Sequence, residues 1–317
     1  MRMAWPRGAA VLALNPTLDV SYEVEHLVPG EKVASTHARF DPGGTGVNVG
    51  RALRLLGTPT LTCLIIAGEV GAMLQRLVAR ELDEPRFVAI PGETRINCTL
   101  VEKDQSTQYE IDGIGPNVSP SALQEVISQF VAGCEGCLGV LTGSVGSGVP
   151  DTIYGELVDR LRSRAAEAVV DAKGLVLAHA VEHKPFLIKP NRAEFTELVG
   201  KPMPTLAKVA HEARAVQARG VRFVCVSLGE DGALLAGPDN VYYAPAPRIK
   251  VRCTVGAGDS MVAGLTSAFT RHASPAEALR LGVACGSGTA EKPGTQLFDP
   301  GDVKRLSAQI EVRELDA

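Results

Sequence analysis

Short apolar runs that alternate with stretches of helical spacing constrain the fold of this chain more than any other feature of its sequence. Ala9–Leu14, Thr60–Ala67, Gly139–Thr142, Ala168–Asp171, Phe186–Lys189 and Phe223–Ser227 are runs of this kind, and most lead into Gly, Pro or Asn. They read as strands buried on both faces. Val47–Leu56, Gly71–Glu81, Ser121–Ala132, Asp151–Ala166, Arg192–Leu198, Leu206–Arg219, Gly258–Thr270 and Ser274–Gly288 read as the helices between them. Gly232–Ala236 and Asn240–Ala244 form a hairpin-like pair. The alternation predicts an α/β fold: a doubly wound, mostly parallel sheet with helices on both faces. Residues 17–40 alternate polar and apolar, and Phe87–Ile90, Asn97–Glu102 and Gln108–Ile111 are further short strands. These early strands predict a small second sheet outside the main one.

The chain has 317 residues, enough for one large α/β domain that needs no disulfide or metal staple. Its net charge of −4 argues against a general polyanion binder, and 4% aromatic residues, with a single tryptophan at Trp5, argue against a stacking platform for nucleic acid. An anionic small substrate would need a local set of donors. No apolar run reaches the ~18 residues of a membrane span, and residues 1–14 lack a signal-peptide pattern, so the expectation is a cytoplasmic protein without membrane partners. The seven cysteines are odd in number and widely spaced, which makes a disulfide framework unexpected. Cys134 and Cys137 form a C-x-x-C, either a redox pair or two small residues near a helix end.

In doubly wound folds ligands bind beyond the carboxyl ends of the strands. Polar and glycine-rich segments recur at those places: Asn15–Asp19, Gly43–Asn48, Gly143–Ser144, Lys189–Glu194, Ser227–Gly229 and Thr254–Asp259. Thr254-Val-Gly-Ala-Gly-Asp-Ser260 leads directly into an apolar helix. Gly256, Ala257 and Gly258 would let an anion approach the free N–H groups of that helix start, and Asp259 would stand there as a proton acceptor. The plain alternative is an aspartate N-cap. Asp41-Pro-Gly-Gly-Thr-Gly46 is a glycine-rich loop that opens onto a helix bearing Asn48, whose amide suits a hydroxyl-rich ligand; a tight turn is the alternative. Asn191 and Glu194 are three apart, able to organise water around a magnesium ion or to form a capping box.

Taken together, Gly43–Arg51 and Thr254–Gly264 resemble the two signatures of the PfkB (ribokinase-like) carbohydrate kinases. Lys189–Glu194 resembles that family's N-x-x-E segment, and Val226–Gly229 its nucleotide-side strand end. The resemblance implies a three-layer α/β/α domain over residues 1–317, with a β-sheet lid built from strands at about 17–40 and 95–112 that serves as a homodimer interface. It implies transfer of the ATP γ-phosphoryl group to a sugar hydroxyl. Asp259 matches the catalytic base, and Gly256, Ala257 and Gly258 the anion hole. Asp19, Gly43, Gly44 and Asn48 match sugar contacts. Lys189, Ser227, Gly229 and Thr254 fall on the ATP side, with Asn191 and Glu194 organising Mg²⁺ through water. A monovalent cation such as K⁺ would lie near Arg252–Thr254 and Glu291–Thr295.

Within the family the chain is most similar to the phosphofructokinase and tagatose-phosphate kinase branch, through Asn15-Pro-Thr-Leu-Asp19, Glu93-Thr-Arg95 and Thr142-Gly-Ser144. Lys32, Arg95 and Ser144 are the candidates for holding the sugar phosphate. Two departures stand out. Members acting on fructose 1-phosphate or tagatose 6-phosphate carry lysine where Thr45 stands, whereas the minor 6-phosphofructokinase type has a small residue there. Lys173 replaces the branch's usual serine. The expected reaction is therefore fructose 6-phosphate to fructose 1,6-bisphosphate. The alternatives are 1-phosphofructokinase, tagatose-6-phosphate kinase, a kinase of an unphosphorylated sugar or nucleoside, and a non-catalytic sugar-phosphate sensor.

Overall fold

The computed structural model describes residues 8–104 and 107–315. In chain order the elements are β1 (Ala9–Ala13), β2 (Thr17–Val24), β3 (His37–Gly43), α1 (Thr45–Leu55), β4 (Thr60–Ala67), α2 (Gly68–Val78), β5 (Glu84–Ile90), β6 (Arg95–Glu102), β7 (Thr107–Ile111), α3 (Pro120–Gly133), β8 (Leu138–Thr142), α4 (Ile153–Arg162), β9 (Glu167–Asp171), α5 (Gly174–Glu182), β10 (Leu187–Ile188), α6 (Arg192–Val199), α7 (Leu206–Ala218), β11 (Phe223–Ser227), β12 (Ala233–Ala236), β13 (Val241–Ala244), α8 (Ala257–Thr270), α9 (Pro275–Ala290), α10 (Pro300–Ser307) and β14 (Arg313–Leu315).

Ten strands form one sheet in the order β14-β13-β12-β11-β10-β9-β8-β1-β4-β5. The pairs from β11 to β5 are parallel, and β12, β13 and β14 extend the edge in antiparallel fashion. Side chains alternate faces along each strand. Leu12 of β1 therefore joins the core with Val126, Phe130 and Leu157 of α3 and α4, while Val11 joins Val49, Val262 and Leu279 of α1, α8 and α9. This is the α/β/α, mostly parallel architecture that the sequence predicts. The chain leaves β1 for β4 on one side and returns to β8 on the other, so the carboxyl ends of β1 and β8 flank a switch point where a cleft opens.

The second sheet runs β3-β2-β6-β7. Its register gives it two chemically different faces. Asp19 lies between Asp41 and Asn97, and these share one face with Arg39 and Arg95. On the other face Val20 lies between Phe40 and Cys98, with Ile111 beyond. Phe40, Ile96, Tyr109 and Ile111 are exposed there.

Five local expectations need correcting. Asp41, Pro42 and Gly43 are not loop residues: they complete β3, paired with Asp19, Leu18 and Thr17. Helix α2 begins at Gly68 because Glu93, from a distant turn, accepts from the Glu69 and Val70 N–H groups and caps it from outside. The helix expected over 151–166 stops at Arg162, and Ala165 beyond it adopts φ 55°. Phe87–Ile90, expected with the small sheet, belongs to β5, which pairs with β4 at the edge of the main sheet; helices α5 and α10 and strand β14 lack expectations altogether. α5 has no side-chain cap at Lys173 and a mostly apolar composition, so it carries neither a start signal nor a clear periodicity.

Candidate active site

Every sequence-predicted site segment except that of Lys32 ends up at the carboxyl end of a main-sheet strand, at the start of the following helix, or on the polar face of the small sheet. Asp259 stands at the third position of α8. Its N-cap is Gly256, at φ 76°, a left-handed conformation that disfavours other residues there. The capping alternative for Asp259 therefore does not apply. Its Oδ2 instead accepts from Asn48 Nδ2 at 2.8 Å. Of the first-turn amides, the Ala257 N–H donates back to the Thr254 carbonyl at 3.2 Å. Those of Gly258 and Asp259 have no acceptor within the helix. The N-cap Gly256 N–H likewise has no acceptor within the helix, so the free N–H groups reach from the expected Gly256–Gly258 stretch to Asp259. Desolvation pushes the Asp259 carboxyl up to about 7, against the Asn48 hydrogen bond and with added repulsion from Asp171.

Asp19 faces the same cleft from β2. A Cβ on Gly43 would collide with its carboxylate, so the glycine leaves Asp19 room for the position it holds. Asp19 Oδ1 is buried and has no hydrogen-bond partner among the described residues. Burial raises its carboxyl to about 6, partly offset by Arg95. A buried acceptor without a donor is costly in the free protein, and a sugar hydroxyl would satisfy it. Asp41, beside it, is committed elsewhere: Arg39 grips it with two contacts of 2.6 and 2.7 Å, and Thr295 Oγ1 donates to it at 2.7 Å. Gly44 follows at φ 91°, outside any side-chain cap, and starts α1.

A second group surrounds Asn15, a residue the site expectations omit although it opens the Asn15–Asp19 segment. Its side-chain amide donates to Ser144 Oγ at 2.9 Å, and its carbonyl accepts from Arg95 Nε and Nη2 at 3.2 and 2.9 Å. Thr45, Thr142 and Gly143 complete this recess. Desolvation pulls the Arg95 guanidinium below its ordinary value, so a partly dehydrated cation stands ready for an anion. Lys32 does not join it. It lies exposed on the connection between β2 and β3.

On the other side of Asp259, Lys189 Nζ pairs with Asp171 Oδ1 at 3.2 Å, with Lys189 buried and Asp171 largely so. Desolvation works against the Lys189 charge, but Asp171 and Glu194 outweigh it and hold the ammonium above its ordinary value. Lys189 Nζ also lies 3.7 Å from where a Cβ on Gly258 would stand, so a fixed positive charge borders the α8 helix start. Asn191 and Glu194 form a reciprocal capping box at α6: Asn191 Oδ1 accepts from the Glu194 N–H at 2.9 Å, and Glu194 Oε2 from the Asn191 N–H at 2.8 Å. That leaves Glu194 Oε1 and the Asn191 NH₂ for other partners. Ser227 ends β11 beside Asn191, Gly229 turns the chain at φ 64°, and Thr254 is exposed before the α8 turn.

Other chemistry-bearing groups stand apart. His26, Glu102 and Asp104 cluster on the small sheet, where the His26 Nδ1 lies 2.7 and 3.0 Å from the two carboxylates. The Leu27 N–H also donates to Glu102 at 2.9 Å, so the cluster ties the β2–β3 connection to the end of β6. Cys134 caps α3 and Cys137 follows, both buried with free thiols. Burial pushes the Cys134 thiol well up, the opposite of what a reactive thiolate needs. A cavity of about 550 Å³ lies at the amino ends of β1 and β4, lined by Ala9, Thr60, Arg54 and Asp83, and contains none of the candidate site residues.

A carboxylate with raised proton affinity at a helix start, a buried lysine beside it and an unpartnered carboxylate oxygen across the cleft suit phosphoryl transfer to a hydroxyl. Comparison with known proteins agrees. Residues 13–301 match the pfkB family carbohydrate kinases. The chain belongs to this family and is an ATP-dependent sugar kinase of the phosphofructokinase type. It is 34% identical over 306 residues to the 1-phosphofructokinase of Bacillus subtilis, covering 96% of this chain and 99% of that one. It superposes on phosphofructokinase-2 from Escherichia coli in complex with potassium with a TM-score of 0.90 at 30% identity, covering 96% and 98% of the two chains. The same enzyme in complex with fructose-6-phosphate gives 0.89 at 29% identity, with the same coverage. Among the described residues no helix is long and apolar enough to cross a membrane.

Proposed function

We propose that this kinase transfers the γ-phosphoryl group of ATP to the C1 hydroxyl of fructose 6-phosphate, giving fructose 1,6-bisphosphate and ADP. The observation that carries the chemistry is Asp259: a carboxylate held by Asn48 at a helix start, with its affinity for a proton raised to near neutrality. Such a group is a stronger base than an ordinary carboxylate yet still substantially ionised near neutral pH, the balance that general base catalysis needs. The hydroxyl oxygen attacks the γ-phosphorus, its proton passes to Asp259, and the bond to the ADP oxygen breaks. The Gly258 and Asp259 amides and the Lys189 ammonium stabilise the charge that develops on the transferred group. Asp19 Oδ1 accepts from a ring hydroxyl and orients the sugar. Arg95, Ser144 and Asn15 take the phosphate at its far end.

Mg²⁺, when bound with ATP, neutralises charge on the phosphates. Glu194 Oε1 is the free carboxylate oxygen for its water shell, and the Asn191 NH₂ supports it. The Arg252 N–H donates at 2.8 Å to the carbonyl of Ala290, which directly precedes Glu291–Thr295, and the Arg252–Thr254 and Glu291–Thr295 segments would hold K⁺.

Fructose 6-phosphate is favoured by Thr45, a short neutral side chain beside Gly143 and Ser144 where a lysine would add a charge. Fructose 1-phosphate is the second reading, supported by the likeness to a 1-phosphofructokinase. Both substrates place a phosphate opposite the reacting hydroxyl. Coupled ADP release with fructose 6-phosphate, fructose 1-phosphate, tagatose 6-phosphate, ribose and adenosine separates them. The highest kcat/KM is expected with fructose 6-phosphate. A preference for fructose 1-phosphate or tagatose 6-phosphate would establish the corresponding alternative, and a preference for ribose or adenosine would remove the phosphate-site assignment.

The apolar face of the small sheet, with Phe40, Ile96, Tyr109 and Ile111 exposed in adjacent rows, supports a homodimer in which two lids pack face to face. Light scattering that gives the mass of one chain at assay concentration would refute it. A cytoplasmic location fits a kinase that draws on ATP and sugar phosphates.

A further inference from the structure

Arg51 lies one helical turn after Asn48 on α1, is 9% exposed, and spends its guanidinium on protein groups. Its Nη1 donates to the Pro42 carbonyl at 3.2 Å and to Asn48 Oδ1 at 3.3 Å, while its Nε pairs with Glu81 beyond the end of α2. A charge this buried is costly unless its partners are well placed. Here those partners are Glu81, the end of a lid strand and, among the described residues, the side chain that hydrogen-bonds to Asp259.

The amide of Asn48 has two unlike ends. A guanidinium can only donate and an ionised carboxylate can only accept. One orientation satisfies both neighbours: Oδ1 toward Arg51 and Nδ2 toward Asp259. Without Arg51, Oδ1 loses its donor, and the amide is free to turn that oxygen toward the Asp259 carboxylate, where it repels.

We infer that Arg51 is a positioning residue for phosphoryl transfer, which locks the Asn48 amide in the orientation that donates to Asp259 and ties the Pro42 end of the lid to the same point. The inference rests on Asp259 being the base. The groups that face Asp259 are Asn48 from α1, Asp19 from β2, Asp171 from β9 and Lys189 from β10, with Glu194 of α6 acting on Lys189. Arg51→Met leaves all of these in the chain and removes the anchor of one.

The Asn48 donation favours the ionised form of Asp259. Its loss moves the acid limb of kcat to higher pH. The test is the pH dependence of ADP release from pH 5.5 to 9.5, with whichever ketohexose phosphate is turned over fastest. Wild type, Arg51→Met, Arg51→Lys and Asp259→Asn are compared. For Arg51→Met the limb is expected to rise by about one pH unit, so that kcat falls about fivefold near pH 7 and recovers near pH 9, with both KM values within about threefold of wild type. If Arg51→Met does not fold, Arg51→Lys carries the test: one ammonium cannot hold Pro42 and Asn48 together, and the limb should rise by about half a unit. A kcat lowered equally at every pH, or an unchanged profile in the folded variant, overturns the inference. Near-wild-type turnover by Asp259→Asn would instead refute the base itself, whatever Arg51 does.

Discussion

The Asp259→Asn substitution is expected to abolish catalysis and to stabilise the protein, with the stability gain confined to neutral and alkaline pH. Desolvation raises the Asp259 carboxyl from 3.8 to about 7. A shift of about three units corresponds to roughly 4 kcal/mol that the folded state forgoes once the group is ionised. Between those two values the folded chain binds the proton and the unfolded chain does not. Stability therefore falls as pH rises through this window, and the penalty is complete above pH 7. A neutral asparagine avoids it. Part of the gain is lost, because the Asn48 hydrogen bond is no longer charge-assisted and the new NH₂ needs an acceptor, together about 2–3 kcal/mol. The net gain at pH 8 is about 1–2 kcal/mol, or about 2–5 °C in Tm. At pH 5 the wild-type carboxyl is largely protonated in the folded state and the gain disappears. Thermal unfolding of both proteins at pH 5 and pH 8, with ADP release measured alongside, checks the reasoning. Turnover should fall by about a thousandfold. An equal Tm change at the two pH values would refute the claim that Asp259 is held in a desolvating site, and retained turnover would refute its role.

Two further substitutions probe the flanks of the cleft. Arg95→Ala removes a partly dehydrated cation anchored on the Asn15 carbonyl; KM for the sugar phosphate should rise about 10–100-fold while KM for ATP stays within about threefold. Equal rises would sink the phosphate role. Lys189→Met leaves Asp171 buried without its partner, which should cost about 3–5 kcal/mol in urea unfolding at pH 8 and less at pH 5, where the carboxylate can protonate; a loss below about 1 kcal/mol would mean that the pair is not desolvated.

The candidate site was legible in the sequence wherever its chemistry is carried by residues close together along the chain. Asp259 three residues after Gly256, Asn48 after Gly43 and Gly44, and Asn191 with Glu194 are such cases, because a strand end followed by a helix start brings neighbours in sequence to one place. What stayed hidden depends on contacts between distant segments. Nothing near Gly68 indicates that Glu93 caps α2, and nothing near Lys189 names Asp171 as its partner. Asp41 reads locally as the first residue of a loop, yet its partners are Arg39 across the same strand and Thr295 at the far end of the chain.

The same distinction explains the surroundings of Asp259, the proposed base. Its charge, its helix start and its glycine cap come from one seven-residue segment, Thr254–Ser260, but that segment alone is equally compatible with a simple cap. The difference is made 211 residues away, by an amide on α1 that replaces the backbone as the partner of Asp259. Because the amide stands on the helix that follows the lid strand, any movement of the lid that shifts Pro42 or α1 also changes the environment of the base. If Asp259 is the base, as proposed, a displacement of Pro42 or α1 on sugar binding would reach it through Arg51 and Asn48, and proton acceptance would then be coupled to the position of the lid.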